Sequence, residues 1–172
     1  MEEDGGEARA VALALATWRR READWRADPE LAALARDCRQ AAEATWAAYR
    51  GLAVVDGCAA CAGDNPGGCC FPEVGQSLGQ ACLLGNLLLG VELPREASVP
   101  GSCYFVGPTG CRLLLRDAFC INYFCPAQEK RLGRAVLARL AGLGGRENLA
   151  AAALETALLR RLNQARERPG RG

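Results

Sequence analysis

Eight of the ten cysteines in this 172-residue chain fall in two clusters. Cys58 and Cys61 form a CxxC pair, and the adjacent pair Cys69-Cys70 follows after seven residues. The second cluster is Cys103, Cys111, Cys120 and Cys125. A CxxC spacing lets two thiolates face one ion while backbone N–H groups turn toward the sulfurs, a geometry that serves both Zn²⁺ and iron–sulfur clusters. A lone CxxC says little. CxxC, a Cys pair and four further spaced cysteines together point to thiolate metal binding, with all eight as candidate ligands. The chain has no histidine. Its absence removes the usual general base, the Cys–His nucleophile pair, the mixed Cys/His zinc finger and the His-ligated metalloenzyme. A metal here must be held by thiolates, with at most a carboxylate added.

The adjacent pair carries a constraint of its own. Successive side chains diverge, so Cys69 and Cys70 cannot easily converge on one tetrahedral ion. Either one of them is spare or the eight cysteines serve two centres. Borrowing a thiolate from the second cluster relieves the problem, so the two clusters are expected to meet in space and share a metal centre.

Compartment decides between metal and disulfide. The opening Met1-Glu2-Glu3-Asp4 is acidic where a secretory signal needs a positive start, and the apolar run Ala10–Ala16 is too short to span a bilayer. The expectation is a cytoplasmic protein without a membrane partner, and in a reducing compartment many cysteines with CxxC spacing mean metal or redox chemistry. Lys and Arg number 21 against 20 Asp and Glu, so no global field attracts nucleic acid. The basic end, Arg160, Arg161, Arg166, Arg168 and Arg171, reads as a solvated face and tail.

All four Phe residues (Phe71, Phe105, Phe119, Phe124), with Tyr104 and Tyr123, lie in the Cys-rich half. Aromatic cover keeps water from a cluster and tunes its potential, which favours an iron–sulfur cluster, [4Fe–4S] first, with zinc in a four-thiolate site as the alternative. Arg116 either donates to a thiolate or sulfide or is a surface residue paired with Asp117 or another carboxylate.

The order Cys58-Ala-Ala-Cys61, Cys69-Cys70, Cys103-x7-Cys111, Arg116, Cys120 resembles the YkgJ-like cysteine-cluster family, described as a zinc- or iron-chelating domain and named for its CxxCxxCC motif. The resemblance covers about residues 57–125 and rests mainly on Cys spacing. It implies that Cys58, Cys61, Cys69, Cys70, Cys103, Cys111 and Cys120 match the family's cysteines. This chain has seven residues between Cys61 and the Cys pair where the family has about two, and lacks the Tyr and Pro that flank the family's Arg. Some flagellin lysine methylases look similar in their Cys-rich part, although no cofactor fingerprint for that reaction is present here. Cys125-Pro126 resembles the Cys-Pro step that closes ferredoxin-type ligand sets.

The elements that must position these thiols are helices. Half the chain is hydrophobic, with Ala and Leu prominent, which suits a mainly α, bundle-like single domain over 1–172: helical at 7–50 and 126–168, with a Cys-rich part at 57–125 holding a loop region and a small β-hairpin. Ala8, Val11, Leu15 and Trp18 make a first helical stripe; Asp28-Pro29 caps and restarts the chain; Leu31, Leu34, Cys38, Ala42, Thr45 and Tyr49 make a second stripe. Residues 57–72 read as loop, Glu73 to Leu89 as one helix, 103–106 and 111–115 as the hairpin, and 116–125 as irregular. Pro126 opens a helix with Leu132, Val136 and Leu140 on one face. Gly144-Gly145 should break it, and a last helix over 147–168 should turn Leu149, Ala153, Thr156, Leu159 and Leu162 or their neighbours inward, before a frayed tail over 169–172. Cys38 and Cys82 read as core thiols. The expected function is to hold a metal centre for electron transfer or redox sensing, with a redox or protein partner. The alternatives are a zinc-stabilised structural or interaction domain, and an iron–sulfur-dependent oxidoreductase or methylase acting with a partner.

Overall fold

The first two helices follow the periodicity of their apolar residues. A computed structural model of the protein describes residues 5–64 and 69–167; the expected tail over 169–172 and residues 65–68 of the expected loop lie outside it. Helix α1 (Gly5–Ala27) buries Val11, Ala14, Trp18 and Trp25. Asp28 then caps α2 (Pro29–Gly51): its Oδ1 accepts the Glu30 and Leu31 amides at 2.9 and 3.1 Å, and Pro29 takes the first helical position, where a missing N–H costs nothing. The buried face of α2 is Leu31, Cys38, Ala42, Thr45, Trp46 and Tyr49.

A 42-residue helix, α7 (Pro126–Glu167), packs along α2. Its far end is tied to the α2 N-terminus, where Arg161 donates to Asp28 at 2.8 Å and to Glu30 at 2.6 Å; this part of the basic end is therefore paired. Between α1 and α7 lies α5 (Gln80–Leu88), with every residue from Ala81 to Leu88 buried. An all-round apolar helix belongs at the centre of a fold. Among the described residues are seven helices and one two-stranded antiparallel sheet, a mainly α single domain. None of those helices is long and apolar enough to cross a membrane.

Several boundaries differ from the expectation. Residues 57–64 are not loop but belong to α3 (Val54–Asp64), which starts after Ala53 turns the chain at φ 52° and buries Val54 beside Tyr49 and Leu140. The single helix expected over 73–89 is two. It splits into α4 (Pro72–Gln76) and α5, because Ser77 Oγ bonds back to the Val74 carbonyl at 2.8 Å and Gly79 adopts an extended N-cap conformation. Residues 116–125 are not wholly irregular: α6 (Ala118–Asn122) forms there, capped by Asp117, whose Oδ1 accepts the Phe119 amide at 2.7 Å.

The break expected at Gly144-Gly145 does not occur. Helix α7 runs through it and kinks at Gly133, whose φ of 75° a side chain would resist. Gly144 serves close approach instead, since a Cβ there would stand 2.8 Å from Ile121 Cγ2 on α6. The inward stripe of this helix falls on neighbours of the expected residues, Ala151, Leu154, Ala157 and Leu158, and leaves Leu149 75% exposed. Leucines occur on both sides of this segment, so periodicity alone does not phase it.

The hairpin is shorter than expected. Strand β1 (Val106–Gly107) pairs with β2 (Gly110–Cys111), Val106 opposite Cys111, so Cys103 lies outside the strand. Beyond Arg112 the ladder ends because buried Asn86 takes its donors. Asn86 Oδ1 accepts the amides of Leu114 and Leu115, both at 3.0 Å, and Nδ2 donates to the Leu115 carbonyl at 2.9 Å. Asn86→Ala leaves the buried Leu115 amide and the part-buried Leu114 amide without their acceptor and removes one of the two donors to the Leu115 carbonyl, at about 1–3 kcal/mol for each group left unsatisfied. We predict a stability loss of about 3 kcal/mol or more in urea unfolding; a loss under about 1 kcal/mol would show that this clamp is not what holds the 112–116 segment.

Candidate metal centre

The helix that carries CxxC sets its geometry. On α3, Cys58 and Cys61 are three residues apart and so share a face. Two close approaches seat this helix. Val55 lies against Gly110, where a Cβ would stand 3.3 Å from Val55 Cγ1 and φ is 103°, and Gly57 abuts Gln128 at the start of α7. The first brings α3 to the hairpin, the second to the segment that begins with Cys125-Pro126. The Cys103 amide donates to the Cys70 carbonyl at 2.6 Å, which joins the two cysteine clusters directly.

The result is one cavity of about 100 Å³, far more than the roughly 10–15 Å³ a single water needs. Cys58, Cys69 and Cys70 line it from the first cluster, and Cys103, Cys111, Cys120 and Cys125 from the second. Cys61, the eighth candidate, is half-buried one turn beyond Cys58 and is not part of the wall. Phe119, Tyr123 and Phe124 line the cavity too, whereas Phe105 belongs to the main core. Phe119 and Tyr123 stack with centroids 4.8 Å apart, both partly exposed. Cys38 and Cys82 are buried elsewhere, Cys82 with its thiol 3.6 Å from the Leu115 carbonyl.

None of the ten cysteines is joined in a disulfide, and the thiols around the cavity differ in acidity. Hydrogen bonds donated by Cys58 and then Cys70 hold the Cys69 thiol well below the usual thiol range. The same bonds, with burial, push Cys58 and Cys70 up. Burial pushes Cys103 up to about 11 and Cys120 to about 12, and raises Cys111.

Among the described residues Arg116 is the one cation in the wall. It is buried rather than on the surface, and its partner is Glu147 rather than Asp117: Nη2 stands 3.2 Å from each carboxylate oxygen, with the two side chains 5% and 0% exposed. The guanidinium lies over Trp46 at 4.2 Å and Tyr49 at 5.1 Å, and among the described residues its Nε has no hydrogen-bond partner. Sequence reasoning missed Glu147, Trp46 and Gln128. Glu147 stands on the same helical face as Ala151, Leu154 and Leu158, where an unpaired carboxylate would not be tolerated, but periodicity does not single out that face in the sequence.

Compared with protein-family models, with curated proteins and with solved structures, the chain matches none. The donor set fits a thiophilic metal: seven sulfurs around one cavity, no imidazole, and a buried guanidinium with an unused donor. Among the described residues no three Cys, Asp or Glu side chains stand close enough together to form a closed ligand set, so the sulfurs would have to draw inward on binding.

The lowered Cys69 pKa has a direct consequence. A thiol below the usual range is thiolate at neutral pH, so in reduced, metal-free protein iodoacetamide should label Cys69 ahead of the other cavity thiols at pH 6.5. Its rate should change less than about twofold from pH 6 to 8, where a thiol of ordinary pKa gains about 70-fold. Peptide mapping that finds Cys69 as steep as an ordinary thiol would contradict the hydrogen-bonded thiolate.

Proposed function

We propose that the protein binds an iron–sulfur centre through cysteine thiolates and uses it in electron transfer or redox sensing in the cytoplasm. The observation that carries this reading is the convergence of thiols from segments some forty residues apart on one cavity walled by aromatics and a buried arginine. The resemblance of the cysteine spacing to the YkgJ-like family points the same way. Candidate ligands are Cys58, Cys61, Cys69, Cys70, Cys103, Cys111, Cys120 and Cys125.

When bound, such a centre supplies a one-electron couple. The chain's own contribution is separable. The thiolates would add negative charge in a buried place, and the Arg116 guanidinium, paired with Glu147, would offset part of it, its Nε being without a partner among the described residues. Phe119, Tyr123 and Phe124 restrict water at the wall, and the partly exposed Phe119–Tyr123 stack is an aromatic surface through which a redox partner could approach. Because ligands come from distant segments, metal binding would also be linked to folding.

Anaerobic purification tests the reading. The expected protein is orange-brown, absorbs near 400 nm, and contains iron with acid-labile sulfide. Cys58→Ser should lower metal per chain, while Cys38→Ala should leave it unchanged and cost stability only. Colourless protein carrying zinc would replace iron–sulfur with a zinc-stabilised domain; full metal occupancy in Cys58→Ser would remove Cys58 from the ligand set.

A further inference from the structure

We infer that a second cavity, between the start of α1 and α4, is a binding site for an organic ammonium ion, with the Glu7 carboxylate as its counter-charge. The inference goes beyond the metal reading and does not depend on it, because this cavity shares no lining residue with the thiol cavity.

The cavity holds about 430 Å³, within the range of roughly 300–1,000 Å³ usual for small-molecule sites. Glu7 and Ala10, three residues apart and so on one face of α1, form one wall. Gly75 on α4 and Leu78 just after it form the other, and Leu83 and Phe105 of the main core close the floor. Glu7 lies in the first turn of α1, where the helix dipole favours negative charge. Gly75 lets α4 come up to it. A Cβ at Gly75 would stand 3.4 Å from Glu7 Oε1 and 3.3 Å from Cys103 Sγ, so any side chain there would press on both.

The carboxylate is nevertheless without a counter-charge. Glu7 is only 6% exposed, and among the described residues its side chain makes no hydrogen bond or ion pair. The other buried acid, Glu147, is held by Arg116. An ionised carboxylate left unpaired at such depth costs free energy. Where its partner would stand there is a cavity large enough for a ligand, so the missing charge is one that a ligand can bring.

That ligand is a cation, and the rest of the wall decides its kind. Mg²⁺ and Ca²⁺ take about six or more oxygen ligands. The side chains here offer the Glu7 carboxylate and the Gln76 amide, and otherwise Ala, Leu, Phe and glycine. One negative charge beside an apolar wall is complementary to an organic ammonium ion. Its N–H groups donate charge-assisted hydrogen bonds to Glu7, and its hydrocarbon part covers Ala10 and Leu78.

Isothermal titration of the full-length protein with 2-phenylethylammonium tests this, with 2-phenylethanol as the uncharged analogue and Mg²⁺ as the inorganic cation. One saturable site is expected, with a Kd on the order of 1 mM for a ligand of this size. The alcohol should bind at least about tenfold more weakly, and so should the ammonium ion to Glu7→Gln. Ala10→Leu, which fills the cavity and leaves the carboxylate in place, should also remove binding. Circular dichroism checks that both variants keep their helices. Unchanged affinity in either folded variant overturns the site, and equal affinity for the alcohol overturns the role of the charge. Mg²⁺ binding that Glu7→Gln removes overturns the ligand class. No saturable binding of the ammonium ion at about 50 times the expected Kd overturns the proposal as a whole.

Discussion

The buried pair Arg116–Glu147 is the interaction on which the arrangement of the cavity depends. It joins the segment after the hairpin to the long C-terminal helix, and the guanidinium is sandwiched onto Trp46 and Tyr49 of α2. Neither charge is tolerable alone at that depth; removing one partner of such a pair costs about 3–5 kcal/mol because the other stays buried. Burial pushes the Glu147 carboxyl up, and the Arg116 charge opposes that shift. The pair therefore fixes three elements at one point, and that point is the wall of a cavity otherwise lined by sulfur and aromatic rings.

Around this anchor two apolar clusters meet. The larger one packs α1, α5 and the C-terminal half of α7; the smaller gathers the end of α2, the start of α3 and the middle of α7 near Leu140. The thiols sit on the seam between them. Such a seam suits ligands that must move: the sulfurs belong to short elements and connections, while the long helices behind them hold the frame. Asn86 extends that frame, because a central helix supplies three hydrogen bonds to the backbone leading into Arg116. Buried polar networks of this kind rigidify when fully satisfied.

The acidity pattern follows from the same geometry. Cys69 is lowered because two neighbouring thiols donate to it, and the neighbours rise in consequence. Cys103, Cys111 and Cys120 are raised chiefly by desolvation. A thiophilic ion would invert this, since coordination stabilises the deprotonated ligand. Its binding would then release protons and offset the cost of gathering negative sulfur in a buried place.

What the sequence determined by itself is what local spacing encodes. The stripes of α1 and α2, the Asp28-Pro29 cap, the core placement of Cys38 and Cys82, and the grouping of eight cysteines all depend on residues within a few positions of one another. Tertiary structure decided the rest. Whether CxxC lay in a loop or on a helix turned on the burial of Val54 against Tyr49 and Leu140. The hairpin ended where Asn86, far earlier in the chain, took its donors. The kink fell at Gly133 rather than Gly144-Gly145, because Gly144 was needed for contact with Ile121. Arg116 showed its type in the sequence but not its partner, since Glu147 comes 31 residues later. A side chain's nearest neighbours in space are chosen by packing, and packing is not local in the chain.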